Sequence, residues 1–148
     1  MKPWVYELDH TPVVIAESSL ASPQMTYLPA EEKWCLEADY TYPYDGHSIT
    51  VLAGFKTDLA SVPRPFWWLI APFELSIAGP LIHDFLYRFR SDPPPDQGSI
   101  NAPRLFTRKE CDVIFRTIME EEGVATWRCV AAYSAVRSLG WIPWSQAA

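Results

Sequence analysis

The sequence predicts an α+β domain: a small antiparallel sheet from the N-terminal third, packed with about three C-terminal helices. Residues 1–57 are strand-rich, with apolar and polar residues alternating between turn signals. Residues 65–142 are helix-rich, with apolar residues at helical spacing. Strands first and helices second is the order that segregates helices from an antiparallel sheet, rather than interleaving them in a parallel one. A chain of 148 residues with no internal repeat fits one domain spanning residues 1–148.

In the strand region, Trp34 to Tyr42 is aromatic and alternates, Pro43-Tyr44-Asp45-Gly46 is turn chemistry, and Ser48 to Phe55 is strand-like again. This reads as a hairpin, with Gly54 allowing a sharp turn at the strand end and Val13 to Ala16 available as a third strand. Ser76 to Phe89 is the first long helix candidate. Leu81, Phe85 and Arg88 share a face, and Pro80 places the helix start nearby, where proline is tolerated. Asp92 to Pro103 is a loop rich in Pro, Gly, Asp and Ser. Thr107-Arg108-Lys109-Glu110 is a capping box. It opens a helix with Cys111, Ile114, Phe115, Ile118 and Met119 on one stripe. Glu120-Glu121-Glu122 oppose the dipole at its C-terminus, so this end either frays or is held by partners. The last helix covers Thr126 to Leu139 and stops at Gly140, before Pro143.

Composition excludes several classes. The formal charge of −6 argues against tracking a phosphate backbone, so nucleic acid is not an expected partner. The longest strongly apolar run, Phe66 to Phe73, is far too short to span a membrane. Val13 to Ala16 is too short for a signal-peptide core. Cys35, Cys111 and Cys129 are odd in number and widely spaced, which predicts reduced, mostly buried thiols in a protein made in a reducing cytosol. Fourteen prolines and 21 aromatic residues predict fixed turns and a core filled by large side chains.

The residues able to carry chemistry are Asp58, His83, Asp84, Tyr87 and Asp112. His83 and Tyr87 are four apart and share a helix face. Asp84 points about 100° round from His83. If the two helices pack antiparallel through their apolar stripes, Asp112 reaches His83. A carboxylate on one imidazole nitrogen fixes the tautomer and leaves the other to take a proton from water. Tyr87 is placed to donate to Asp112, and Asp84 to offer oxygen to a hard cation such as calcium.

Two resemblances attach to these residues. Gly54-Phe55-Lys56-Thr57-Asp58-Leu59-Ala60-Ser61-Val62-Pro63-Arg64, then His83-Asp84-Phe85-Leu86-Tyr87-Arg88, then Cys111-Asp112-Val113-Ile114-Phe115 resemble a phage and prophage family known only as a domain of unknown function, over roughly residues 34 to 142. That resemblance implies a phage or prophage origin, synthesis in a host cytoplasm, and no particular activity. His-Asp-x-x-Tyr on one helix with Asp-x-x-Phe on the next is similar to the catalytic helices of phospholipase A-two. That similarity implies His83 as base, Asp84 as calcium ligand, and Asp112 with Tyr87 as the orienting pair. The calcium loop rich in glycine is not matched: Ser76-Ile77-Ala78-Gly79-Pro80 stands in its place.

Each feature also has a purely structural reading. His83, Asp84 and Asp112 make an equally good buried hydrogen-bond network between two helices. Asp58 reads better as a turn cap than as a metal ligand, and Ser61 lacks the setting of a serine nucleophile. His10 and His47 read as loop residues, Phe66 to Ile70 as core, and Arg88, Arg90, Arg104 and Arg108 as solvated helix ends. Two functions remain open. One is a non-enzymatic virion or lysis-module accessory protein that docks on phage structural proteins. The other is a calcium-assisted hydrolase of a lipid or small ester.

Overall fold

A computed structural model describes residues 22–57 and 77–147. The expectations placed on His10, Val13 to Ala16, Asp58, Ser61 and Phe66 to Ile70 lie outside the described residues. The fold is α+β: the described residues form two small antiparallel sheets, mainly from the N-terminal part, and four helices in the C-terminal part.

The first sheet has the order β1-β2-β5, from β1 (Met25–Leu28), β2 (Lys33–Leu36) and β5 (Lys56–Thr57). The second has the order β3-β4-β6, from β3 (Tyr40–Tyr44), β4 (His47–Val51) and β6 (Gly98–Asn101). The expected single strand from Trp34 to Tyr42 is therefore two strands in two sheets, separated by a bend through residues 37–39. The expected strand from Ser48 to Phe55 is likewise cut: β4 ends at Val51 and the chain turns at Ala53-Gly54 into β5. The hairpin turn itself is only Asp45-Gly46, both at positive φ (49° and 80°). That is the two-residue geometry matching strand twist, so Pro43 and Tyr44 stay in the ladder opposite Ser48 and His47.

β6 lies inside the stretch expected to be all loop. Its ladder to β4 runs from Ser48 opposite Asn101 to Val51 opposite Gly98. Gly98 is required there: a Cβ would strike the Thr50 carbonyl and come within 2.7 Å of the Phe85 ring.

Helix α1 (Ala78–Phe89) starts two residues later than expected, with Pro80 in its first turn, where no N–H is lost from the ladder. It ends at Arg90, which takes the left-handed conformation. Helix α2 (Arg108–Glu121) opens on the expected capping box: Thr107 Oγ1 accepts from Glu110 N–H and the Glu110 carboxylate accepts from Thr107 N–H. Its acidic end is held, because the Tyr42 hydroxyl donates to Glu121 at 2.8 Å. Helix α3 (Thr126–Leu139) has the expected bounds, and a short α4 (Trp141–Gln146), not expected from a segment containing Pro143, follows Gly140.

Large side chains fill the main core between the sheets, α1 and α2: Leu36, Tyr42, Ile49, Val51, Phe55, Leu81, Phe85 and Ile114 among them. A second cluster, Phe115, Met119, Val124, Cys129, Ala132 and Val136, joins α2 to α3. Helix α2 is thus shared by both. The pairings His83 with Phe115 and Tyr87 with Arg108 run in opposite chain directions, so α1 and α2 are antiparallel.

Candidate functional site

The antiparallel packing of α1 on α2 brings His83, Tyr87 and Asp112 together. His83 Nε2 lies 2.8 Å from Asp112 Oδ1, and the Tyr87 hydroxyl donates to the same oxygen at 2.6 Å. An ionised carboxylate can only accept, so His83 Nε2 carries its proton. His83 and Asp112 are completely buried and Tyr87 is 1% exposed. The His83 ring lies 4.1 Å from Tyr87 and 4.7 Å from Phe115, centroid to centroid, so aromatic walls fix its plane.

The other carboxylate oxygen belongs to two arginines. Arg137, from α3, donates to Asp112 Oδ2 at 2.8 Å, and Arg108 stands 3.7 Å from it. Arg108 also donates to the carbonyls of Val136 and Arg137, in the last turn of α3, where carbonyls run short of intrahelical donors. Sequence reasoning assigned no role to Arg137. The signal was present: a cation in the last turn of an Ala-rich helix is a side chain with few apolar reasons to be there.

The charges follow from this geometry. Burial pushes the Asp112 carboxyl upward, but hydrogen bonds and charge from His83, Tyr87 and Arg137 outweigh it and hold the carboxyl below its ordinary value. Burial, reinforced by the Asp112 carboxylate, raises the Tyr87 phenol, so it remains a donor at every physiological pH.

Asp84 faces elsewhere. Its Oδ2 accepts from Arg88 at 3.0 Å, one turn along α1. Arg88 in turn donates to the Lys56 carbonyl at 2.8 Å and lies over the Phe55 ring. Among the described residues no group of three or more His, Cys, Asp or Glu side chains gathers as a metal shell. A carboxylate facing a guanidinium offers a cation less charge than calcium needs, so the described residues do not fit the calcium site implied by the resemblance to phospholipase A-two. The other arginines expected as solvated helix ends are also engaged: Arg90 donates to the Trp144 and Ser145 carbonyls, and Arg104 to Glu110. His47 ends up in β4, as its first residue.

Residues 34–136, more than half of the chain, match the family model described as protein of unknown function (DUF1353). The chain belongs to the DUF1353 family. No curated protein and no solved structure matches it significantly. The matched span of this DUF1353 protein contains His83, Tyr87, Arg108 and Asp112, and it ends at Val136, one residue short of Arg137. No helix among the described residues is long and apolar enough to cross a membrane.

Proposed function

We propose that this DUF1353 protein is a non-catalytic accessory protein of phage or prophage origin, docking within a virion or a lysis module. In this reading, Asp112 is the polar junction that fixes three helices. The observation that carries the reading is the completely buried Asp112 carboxylate of α2, which accepts from His83 and Tyr87 of α1 and from Arg137 of α3 at once. A carboxylate assists a catalytic imidazole by stabilising the cation that forms when the ring takes a proton. Here Asp112 is also held by Arg137 and faced by Arg108, so the carboxylate ties helices together and is not dedicated to the imidazole. The phage origin rests on the sequence resemblance alone.

The test pairs activity with stability. The purified protein is expected to hydrolyse neither phosphatidylcholine vesicles nor short-chain aryl esters, with or without calcium. His83→Ala is expected to lower the melting temperature, and mass spectrometry is expected to find the chain in purified particles or lysis complexes. Calcium-dependent turnover that disappears in His83→Ala would overturn the reading.

A second reading, ester hydrolysis, has one specific observation in its favour. His83 donates Nε2–H to the carboxylate that Tyr87 also holds, an imidazole–carboxylate pair of the kind that fixes the tautomer of a general base. The assay above decides between the two.

A further inference from the structure

The outward face of α3 plays no part in the reading above. Among the described residues α3 packs mainly on α2, through Cys129, Ala132 and Val136. Exposed positions on its other side recur at Trp127, Val130, Ser134 and Ser138. Trp141 of α4 continues them, because Gly140 keeps near-helical angles (φ −68°, ψ −11°). Steps of three and four residues follow one helix face. The two tryptophans are 56% and 57% exposed, so the largest side chains stand at the ends of a stripe whose middle is two serines.

The spacing of this stripe is symmetric. From Trp127 to Trp141 the steps run three, four, four, three, with Ser134 at the centre. A two-fold axis through Ser134 that sets two copies of α3 antiparallel places Trp127 of each copy against Trp141 of the other, and Val130 against Ser138. Serine on the axis lets the two backbones approach to about 8 Å, the close end of helix packing. A face of this kind complements a copy of itself by symmetry, whereas any other occupant has to match the spacing on its own.

Charge selects the same face. All 18 Asp and Glu residues precede Gly123, so residues 123–148 are where two copies of a chain of net charge −6 meet without opposing carboxylates. Of the cations of α3, Arg137 is bonded to Asp112, and Arg128 lies over the Trp127 ring at 5.4 Å. Arg128 is in the first turn of α3, where a cation opposes the dipole of its own helix. Antiparallel pairing brings it beside the C-terminal end of the other α3, where a cation is favoured. With Val130 and Ile142, each 41% exposed, the tryptophans offer roughly 400–500 Å² of apolar surface per copy, the low end for a specific interface.

We propose that two copies of the chain associate through this face of α3 and α4, antiparallel about a two-fold axis at Ser134, as a weak reversible dimer. The test is sedimentation of the full chain from low micromolar to submillimolar concentration, where the sedimentation coefficient is expected to rise from monomer to dimer. Trp141→Lys is expected to weaken association at least tenfold, with an unchanged melting temperature verifying the fold. A second measurement fixes the axis. In a Cys35→Ser background, Ser134→Cys is expected to form an intermolecular disulfide under oxidised glutathione at least tenfold faster than Ser138→Cys, whose two copies lie on opposite sides of the axis. Four outcomes overturn the proposal: a monomer at every concentration, a dimer indifferent to Trp141→Lys, cross-linking at Ser138→Cys as fast as at Ser134→Cys, or a monomer that sediments with phosphatidylglycerol vesicles through the same tryptophans.

Discussion

Replacing Asp112 by alanine removes the acceptor of two fully buried donors, His83 Nε2–H and the Tyr87 hydroxyl. Each buried donor left without a partner costs about 1–3 kcal/mol, and breaking a buried ion pair from one side costs about 3–5 kcal/mol in total. Arg137 adds little, because its side chain is 30% exposed and rehydrates. The expected loss is therefore about 3–5 kcal/mol, out of roughly 7–15 kcal/mol for a domain of this length. For that length, each kcal/mol moves the melting temperature by about 2–4 °C, so the shift is about 10 °C and lies between ~6 and ~20 °C. Urea unfolding followed by near-ultraviolet circular dichroism measures it directly. The triple variant Asp112→Leu, His83→Phe, Tyr87→Phe removes donors and acceptor together, and is expected to recover most of the loss, because apolar replacement of a buried polar set is close to neutral. A loss below about 1 kcal/mol for Asp112→Ala, the level of an exposed ion pair, would refute the reasoning. So would a triple variant no more stable than the single one.

Three further outcomes follow from the same geometry. Asp112 and Glu110 both have folded values below their ordinary ones, Glu110 at about 2 through Arg104 and the Thr107 N–H, so their stabilisation is complete above the unfolded values. It is lost as pH falls through the folded ones. The melting temperature is expected to drop between pH 4.5 and about 2, with salt weakening the exposed Glu110 part and Asp112→Asn removing the buried part. Thr107→Ala deletes one half of the capping box and is expected to cost about 1 kcal/mol, read as a lower urea midpoint with unchanged slope. Burial pushes the Cys111 thiol up to about 12, so a thiol reagent is expected to modify half-buried Cys35 in the native protein and Cys111 only on unfolding, as mass spectrometry of timed samples can check.

How much of this was legible in the sequence depends on whether the determinant was local. The capping box at Thr107 and Glu110 is a local signal, and α2 begins where it predicts. Helix α3 stops at Gly140 for the same kind of reason. The partition of the strand region into two sheets was not legible, because alternation from Trp34 to Tyr42 says nothing about which neighbour each half meets. β6 was hidden for a different reason: Gly98 and the surrounding prolines read as loop, and only the close approach to Thr50 and Phe85 explains a glycine in a strand. In the site, the spacing of His83 and Tyr87 fixed their common face, and Asp112 was placed by the assumption that α1 and α2 pack antiparallel. Arg137 and the Arg88 partner of Asp84 came from pairings between side chains, for which helical periodicity gives only candidates.

The arginines explain why a polar junction sits where an apolar one would hold. Helix α3 carries few large buried side chains: its buried residues are Cys129, Ala132, Ala135 and Val136. Small apolar contacts are non-directional and leave the position of such a helix weakly specified. Arg137 reaching Asp112, and Arg108 reaching the Val136 and Arg137 carbonyls, fix its register from both partners at once. Arg90 does the same for α4 through the Trp144 and Ser145 carbonyls. Gly140 completes the arrangement, because a Cβ there would stand 2.6 Å from the Tyr87 hydroxyl and drive it off Asp112. Directed donors on one buried carboxylate thus set where α3 lies against α1 and α2, while the aromatic core supplies the burial that keeps all three together.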